Sequence, residues 1–240
     1  MQEYYHKWYS QHSGRDFEML VFGHAGLPIV LFPTALGRYY QTKDYGLIGS
    51  IKDFINQGKV RIYCPDSIDN ESWFNYNIHP SERVKNQLLY EDIILNEVIG
   101  FAKYDSECDK IALAGCDLGA YQAANNSFKH PELVSHLFTM SGTFDIKRFI
   151  FGHYDDDCYY NNPFDYLPEL NDDFYIEKIN KMNIIIAAGE NDITLEENKK
   201  LSNVLYKKLL RHQLDVIPGA NNNWPWWRHM FYKIINELEY

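Results

Sequence analysis

Residues 111–121 read Ile111-Ala112-Leu113-Ala114-Gly115-Cys116-Asp117-Leu118-Gly119-Ala120-Tyr121. The first four are short and apolar, as in a strand buried on both faces of a parallel sheet. Two glycines then bracket Cys116-Asp117-Leu118, and the stretch from Ala120 to Lys129 reads as a helix. This is the layout of a nucleophile elbow, G-x-S-x-G, in which a tight strand-to-helix turn presents one side chain above the sheet. A Cβ at either bracketing position would collide with neighbouring backbone, so only Gly fits there. The residue at the tip should be Ser, and here it is Asp117.

Upstream of the elbow, strands are expected at Phe17–Phe22, Ile29–Phe32 and Val60–Cys64. The first two read as an antiparallel edge hairpin around Gly23-His24-Ala25-Gly26. Helices are expected from Asp44 to Gln57 and from Ser81 to Tyr104. Downstream, strands are expected at Leu137–Ser141, Ile184–Ala188 and Leu214–Ile217. Thr194-Leu195-Glu196-Glu197 reads as a capping box for a helix running to about His212, and a last amphipathic helix runs to Tyr240. Strands alternating with helices predict a mostly parallel central sheet covered on both faces. Residues 1–240 read as one domain, and the irregular stretch 145–168 lies where a small lid is often inserted. Within it, Asp155-Asp156-Asp157 lacks the alternating oxygen ligands of a calcium loop and reads as solvated. Asp69 and Glu71, in the loop after Cys64, read the same way.

Composition narrows the function classes. A net charge of −10 argues against nucleic acid or an anionic membrane as partner. Four Cys with no C-x-x-C pair give neither a zinc nor a redox pattern and suit a reducing compartment. The first residues, Met1-Gln2-Glu3-Tyr4-Tyr5-His6-Lys7, lack the apolar core of a signal peptide, and a cytoplasmic protein is expected. The 19 Tyr read first as core and half-buried surface, and second as a groove for sugars or aromatic acyl groups.

Three loops at strand ends converge on one edge of the sheet: Asp117, Asp192 and Asn221-Asn222-Asn223. Their order along the chain is the Ser…Asp…His order of α/β-hydrolases. Further residues carry the likeness: Phe22-Gly23-His24-Ala25-Gly26, Phe32-Pro33-Thr34, Gly37-Arg38-Tyr39, Ser72-Trp73-Phe74, Gly115-Cys116, Leu118-Gly119-Ala120-Tyr121, Tyr159-Tyr160-Asn161-Asn162-Pro163, Gly189-Glu190 with Asp192, and Trp224-Pro225-Trp226-Trp227. On these residues the chain resembles the esterase D and feruloyl-esterase group of the α/β-hydrolase superfamily. The resemblance implies an α/β-hydrolase fold. It also implies Ser where this chain has Asp117, and His-Asp where it has Asn222-Asn223; Asp192 matches the family's acid.

Asn has no basic nitrogen, so a Ser-His-Asp relay cannot operate through Asn222. An Asp at the elbow can itself be a nucleophile, but clearing its ester calls for a base-activated water. The expected anion pocket is built from the Leu118 N–H and an N–H of the Ala35-Leu36 loop. Asp117 is expected to fill it partly from within. Cys116, one residue before the tip, should point into the core. The leading expectation is therefore a protein that binds a small ligand, ester-like or carbohydrate-like, or a partner, without serine-esterase activity. The alternative is an active hydrolase with a rearranged site. No cofactor or metal is expected, and a homo-oligomer remains open.

Overall fold

The computed structural model describes residues 1–238. Eight strands form one sheet: β1 (Glu3–Ser10), β2 (Arg15–Phe22), β3 (Leu27–Phe32), β4 (Val60–Pro65), β5 (Ile111–Cys116), β6 (Val134–Met140), β7 (Asn183–Gly189) and β8 (Gln213–Ile217). Their order across the sheet is β1-β2-β4-β3-β5-β6-β7-β8. The expected β2–β3 hairpin does not form. β2 pairs antiparallel with β1 and with β4, while β3 lies parallel between β4 and β5. From β4 to β8 every pairing is parallel.

Alternation along the strands divides the core into two layers. Val30 and Phe32 of β3, Leu113 of β5 and Ile186 of β7 face one layer. Ile29 and Leu31, Ala112, Ala114 and Cys116, and Ile185 and Ala187 face the other. Cys116 therefore points away from the sheet edge, as expected, with its Sγ 4.0 Å from the Met140 sulfur. The second layer is closed by the helix Trp224–Asn236, which buries Met230, Phe231, Ile234 and Ile235. Burying an aliphatic or aromatic side chain contributes about 1.5–3 kcal/mol. Four on one helix face suffice to anchor the segment that follows the Asn222 loop.

Two helices depart from expectation. The stretch 44–57 is broken into Gln41–Asp44, Leu47–Ser50 and Lys52–Asn56, because Gly46 turns left-handed (φ 76°) and Ile51 leaves helical geometry. The long helix starts at Pro80 and ends at Ser106, but its middle, Ile93–Ile99, is wound as a π-helix. Within that widened turn Glu97 accepts from Trp8 Nε1 (2.6 Å) and Ser10 Oγ (2.8 Å), which fastens the edge strand β1 to the helical layer. The stretch 145–168 contains the short helices Lys147–Ile150 and Asp156–Tyr160 and most of Pro163–Glu169. Among the described residues no helix is long and apolar enough to cross a membrane.

Candidate active site at the C-terminal sheet edge

The elbow is built as its glycines require. Asp117 sits between β5 and the helix Leu118–Lys129 with φ 54° and ψ −121°, a strained conformation for a residue with a Cβ. Such strain costs on the order of 1–3 kcal/mol and persists only where the surroundings enforce it. Here they do. A Cβ on Gly115 would lie 2.2 Å from the Gly119 carbonyl, and one on Gly119 would lie 2.4 Å from the Pro33 oxygen. The peptide at the tip is also held on both sides: Asp117 N–H donates to Met140 O (3.1 Å), and Asp117 O accepts from Thr143 N–H (3.3 Å).

The Asp117 side chain turns toward the expected anion pocket. Its Oδ2 accepts from the Ala35 N–H at 3.4 Å, and the adjacent Leu118 N–H favours its charged form. The Leu36 N–H, the third candidate donor, is committed elsewhere: it donates to Asp69 Oδ2 at 3.2 Å. Adjacent peptides of one loop thus hold two different carboxylates. Burial raises the Asp117 pKa, against the Leu118 and Ala35 N–H groups and the Arg148 guanidinium, which favour the charged form; the Asp192 charge adds to the rise.

Asp69 overturns the solvated-loop expectation, being only 3 % exposed. Burial pushes its carboxyl up to about 7; the Leu36 N–H opposes this, and the nearby Asp117 charge reinforces it. Glu71 keeps to expectation, paired with Arg15 at the surface. Between them in function stands Asp66, gripped by Arg38 Nε at 2.7 and 2.8 Å and by the Tyr39 and Ser67 N–H groups. The sequence gives no local sign that Asp69 rather than Asp66 is the carboxylate without a cation.

Asp192 is buried at the start of its loop. Its Oδ1 accepts from both the N–H and the Oγ1 of Thr194, each at 2.8 Å. Its Oδ2 is buried without any hydrogen-bond partner. The expected capping box is thereby replaced: Thr194 makes no side-chain cap bond. Glu197 instead accepts from the Phe144 N–H (2.7 Å), the Asp145 N–H (3.2 Å) and Arg148. Arg148, missed in the sequence because nothing in its surroundings there marks it, is the cation whose field reaches Asp117.

The Asn loop is laced to the acid loop. Asn191 N–H donates to Ala220 O (2.9 Å), Glu190 N–H donates to Ile217 O (2.9 Å), and a Cβ on Gly189 would lie 2.3 Å from Ala220 O. Asn222, two residues on, is half-buried and makes no side-chain hydrogen bond to Asp117 or Asp192 among the described residues. Asn223 has a separate duty. It is the N-cap of the last helix, its Oδ1 accepting from the Trp226 N–H at 3.3 Å.

Other imidazoles are engaged elsewhere. His24 lies in the turn before β3, at the opposite end of the strands, against Gly58. His229 packs on Trp226 inside the last helix. His130 pairs with Glu91, His153 with Asp155 and His212 with Ser202. Three carboxylates and one guanidinium therefore gather at the strand ends, and among the described residues no imidazole bonds to any of the three.

No protein-family model and no curated protein sequence matches the chain. Solved structures do. A ferulic acid esterase superposes with a TM-score of 0.77 at 14% identity, covering 98% of this chain and 96% of its own. An S-formylglutathione hydrolase of Staphylococcus aureus gives 0.74 at 15% identity, covering 98% and 97%. A ferulic acid esterase of Anaeromyces mucronatus gives 0.73 at 15%, covering 98% and 90%. At these identities the likeness is one of fold, and the fold is that of the α/β-hydrolases.

Proposed function

We propose that this chain is an esterase-like α/β-hydrolase-fold protein with a degenerate triad, Asp117, Asn222 and Asp192, that binds a ligand or partner without serine-esterase chemistry. The observation that carries this reading is the Asp117 carboxylate itself. It takes up the Ala35 and Leu118 N–H groups that an oxyanion would need, so a tetrahedral intermediate would have to displace a bonded anion. A surface depression of about 520 Å³, lined by Lys147, Arg148, Phe164, Glu196 and Lys200 among others and by none of the three triad positions, offers charged groups to a small polar ligand. A fluorophosphonate probe tests the first half of the proposal. It needs an activated Ser, so the protein is expected to emerge unlabelled under conditions that label an active serine esterase to completion. Stoichiometric labelling at any Ser would sink the reading.

One observation favours a second reading, an active hydrolase with a rearranged site. Asp69 carries a carboxyl poised near neutrality beside Asp117, which is where a general acid or base works best. Under that reading, turnover of an acyl ester or a haloalkane is abolished by Asp117→Asn and by Asp69→Asn alike.

A further inference from the structure

The segment between β6 and β7 holds a cluster that the reading above does not use. His153, Asp155 and Cys158 each offer one donor atom, and the imidazole nitrogen, carboxylate oxygen and Sγ all lie within 4.8 Å of one another. Local chain geometry brings them together. Asp155 is the N-cap of the helix Asp156–Tyr160, and its Oδ1 accepts from the Cys158 N–H at 2.9 Å. In a capped first turn the side chain three residues on reaches back toward the cap, so the thiol comes to rest beside the carboxylate. The other carboxylate oxygen, Oδ2, meets His153 Nε2 at 2.8 Å. His79 braces the His153 ring from the side, the two centroids 5.1 Å apart. Cys158 is fully buried, whereas Asp155 is exposed and His153 partly so, which gives an ion a path from solvent to a shielded sulfur.

We propose that His153, Asp155 and Cys158 form a Zn²⁺ site, with water in the fourth position. A sulfur, nitrogen and oxygen donor set suits zinc or cobalt, and is wrong for Ca²⁺ or Mg²⁺, which take oxygen ligands. Bond lengths of about 2.0–2.3 Å around a tetrahedral ion put donors roughly 3.3–3.8 Å apart. Closure by about 1.5 Å at most completes the site, within the reach of side-chain rotation. On binding, the Cys158 thiol proton leaves to solvent and the sulfur bonds the metal as thiolate. The His153 proton moves from Nε2 to Nδ1, freeing the Nε2 lone pair. Helix capping and the His–Asp contact bring the three donors together before any ion arrives, so a metal would meet a donor set already assembled. The sequence signal is H-x-D-x-x-C at 153–158, hidden by reading Asp155-Asp156-Asp157 alone and by looking only for paired cysteines. A metal here ties together the segment that also carries Arg148, independently of whether the elbow is catalytic.

The test is Co²⁺ titration of the full-length chain. Expected are a thiolate-to-cobalt charge-transfer band that saturates at one ion per chain, and its loss when Zn²⁺ is added. Cys158→Ser removes the band. Asp155→Asn, which keeps a capping side chain, weakens binding by at least about tenfold. Cys108→Ser changes nothing. Thermal melts guard against misfolding: Zn²⁺ raises the midpoint of the wild-type protein and raises that of Asp155→Asn by less at the same metal concentration. Absence of the band from wild-type protein overturns the site, as does its persistence in folded Cys158→Ser protein or its disappearance in Cys108→Ser.

Discussion

Protein carrying Asp117→Ser together with Asn222→His is expected to hydrolyse short acyl esters such as p-nitrophenyl acetate, with a burst of one acyl group per chain, while neither single variant does so. The triad works as a unit. In subtilisin, removing the Ser or the His alone costs about as much as removing all three residues, roughly a millionfold in kcat. Two features of this site favour recovery of a sizeable part of that factor. The buried Asp192 Oδ2 has no partner, and a carboxylate oxygen in that condition is what an imidazole Nδ1–H at position 222 would engage. Taking away the Asp117 carboxylate also releases the Ala35 and Leu118 N–H groups to serve an oxyanion. The exacting requirement is positional. The new imidazole must reach both the hydroxyl at 117 and Asp192 within about 3 Å. A folded double variant with no burst above the Asn222→His control would mean that the loop is shaped around a different ligand, and that the site is more than a disarmed esterase.

The largest effect on stability is expected at Asp69. Its carboxyl titrates at about 7 when folded, against about 3.9 in an unfolded chain. Between those values the folded protein holds a proton that the unfolded chain has already lost. Stability therefore falls as pH rises through this window, and the loss is complete above pH 7. Asp69→Asn keeps an oxygen to accept from the Leu36 N–H and removes the charge. The variant is expected to exceed wild type at pH 8 by on the order of 2–4 kcal/mol, with the gain shrinking toward zero at pH 4. Paired urea titrations at the two pH values measure it. A variant less stable than wild type at pH 8 would show that the Asp69 charge is stabilised by something the geometry does not reveal. The raised carboxyls of Asp66 and Asp117 act in the same direction, which is why the comparison is between wild type and variant at each pH.

Much of the sheet was legible because parallel strands buried on both faces are nearly all apolar, as in Ile111–Ala114 and Ile184–Ala188. The edge strand β1 was not, since Glu3–Ser10 is largely exposed and carries no hydrophobic signature beyond its aromatics. The β2–β3 hairpin was misread for a related reason. Sequence adjacency suggests pairing, whereas β4, which begins 28 residues after β3 ends, inserts between them. The elbow and its acid were legible through glycine clearances and loop order. The carboxylate of Asp69 was not, because burial of a loop residue is decided by what packs over it. Arg148 and the Glu197 bonds were hidden likewise, and Thr194 offered a local capping pattern that Asp192 satisfied first.

The strained dihedrals of Asp117 have a wider implication. They are imposed by the close approaches at Gly115 and Gly119 and by bonds to the peptide, none of which involves the side chain at the tip. The backbone is thus indifferent to what it presents. Identity at position 117 is free to vary, hydroxyl, carboxylate or amide, while the frame stays put. The group displayed at the tip and the frame that displays it are thus separable.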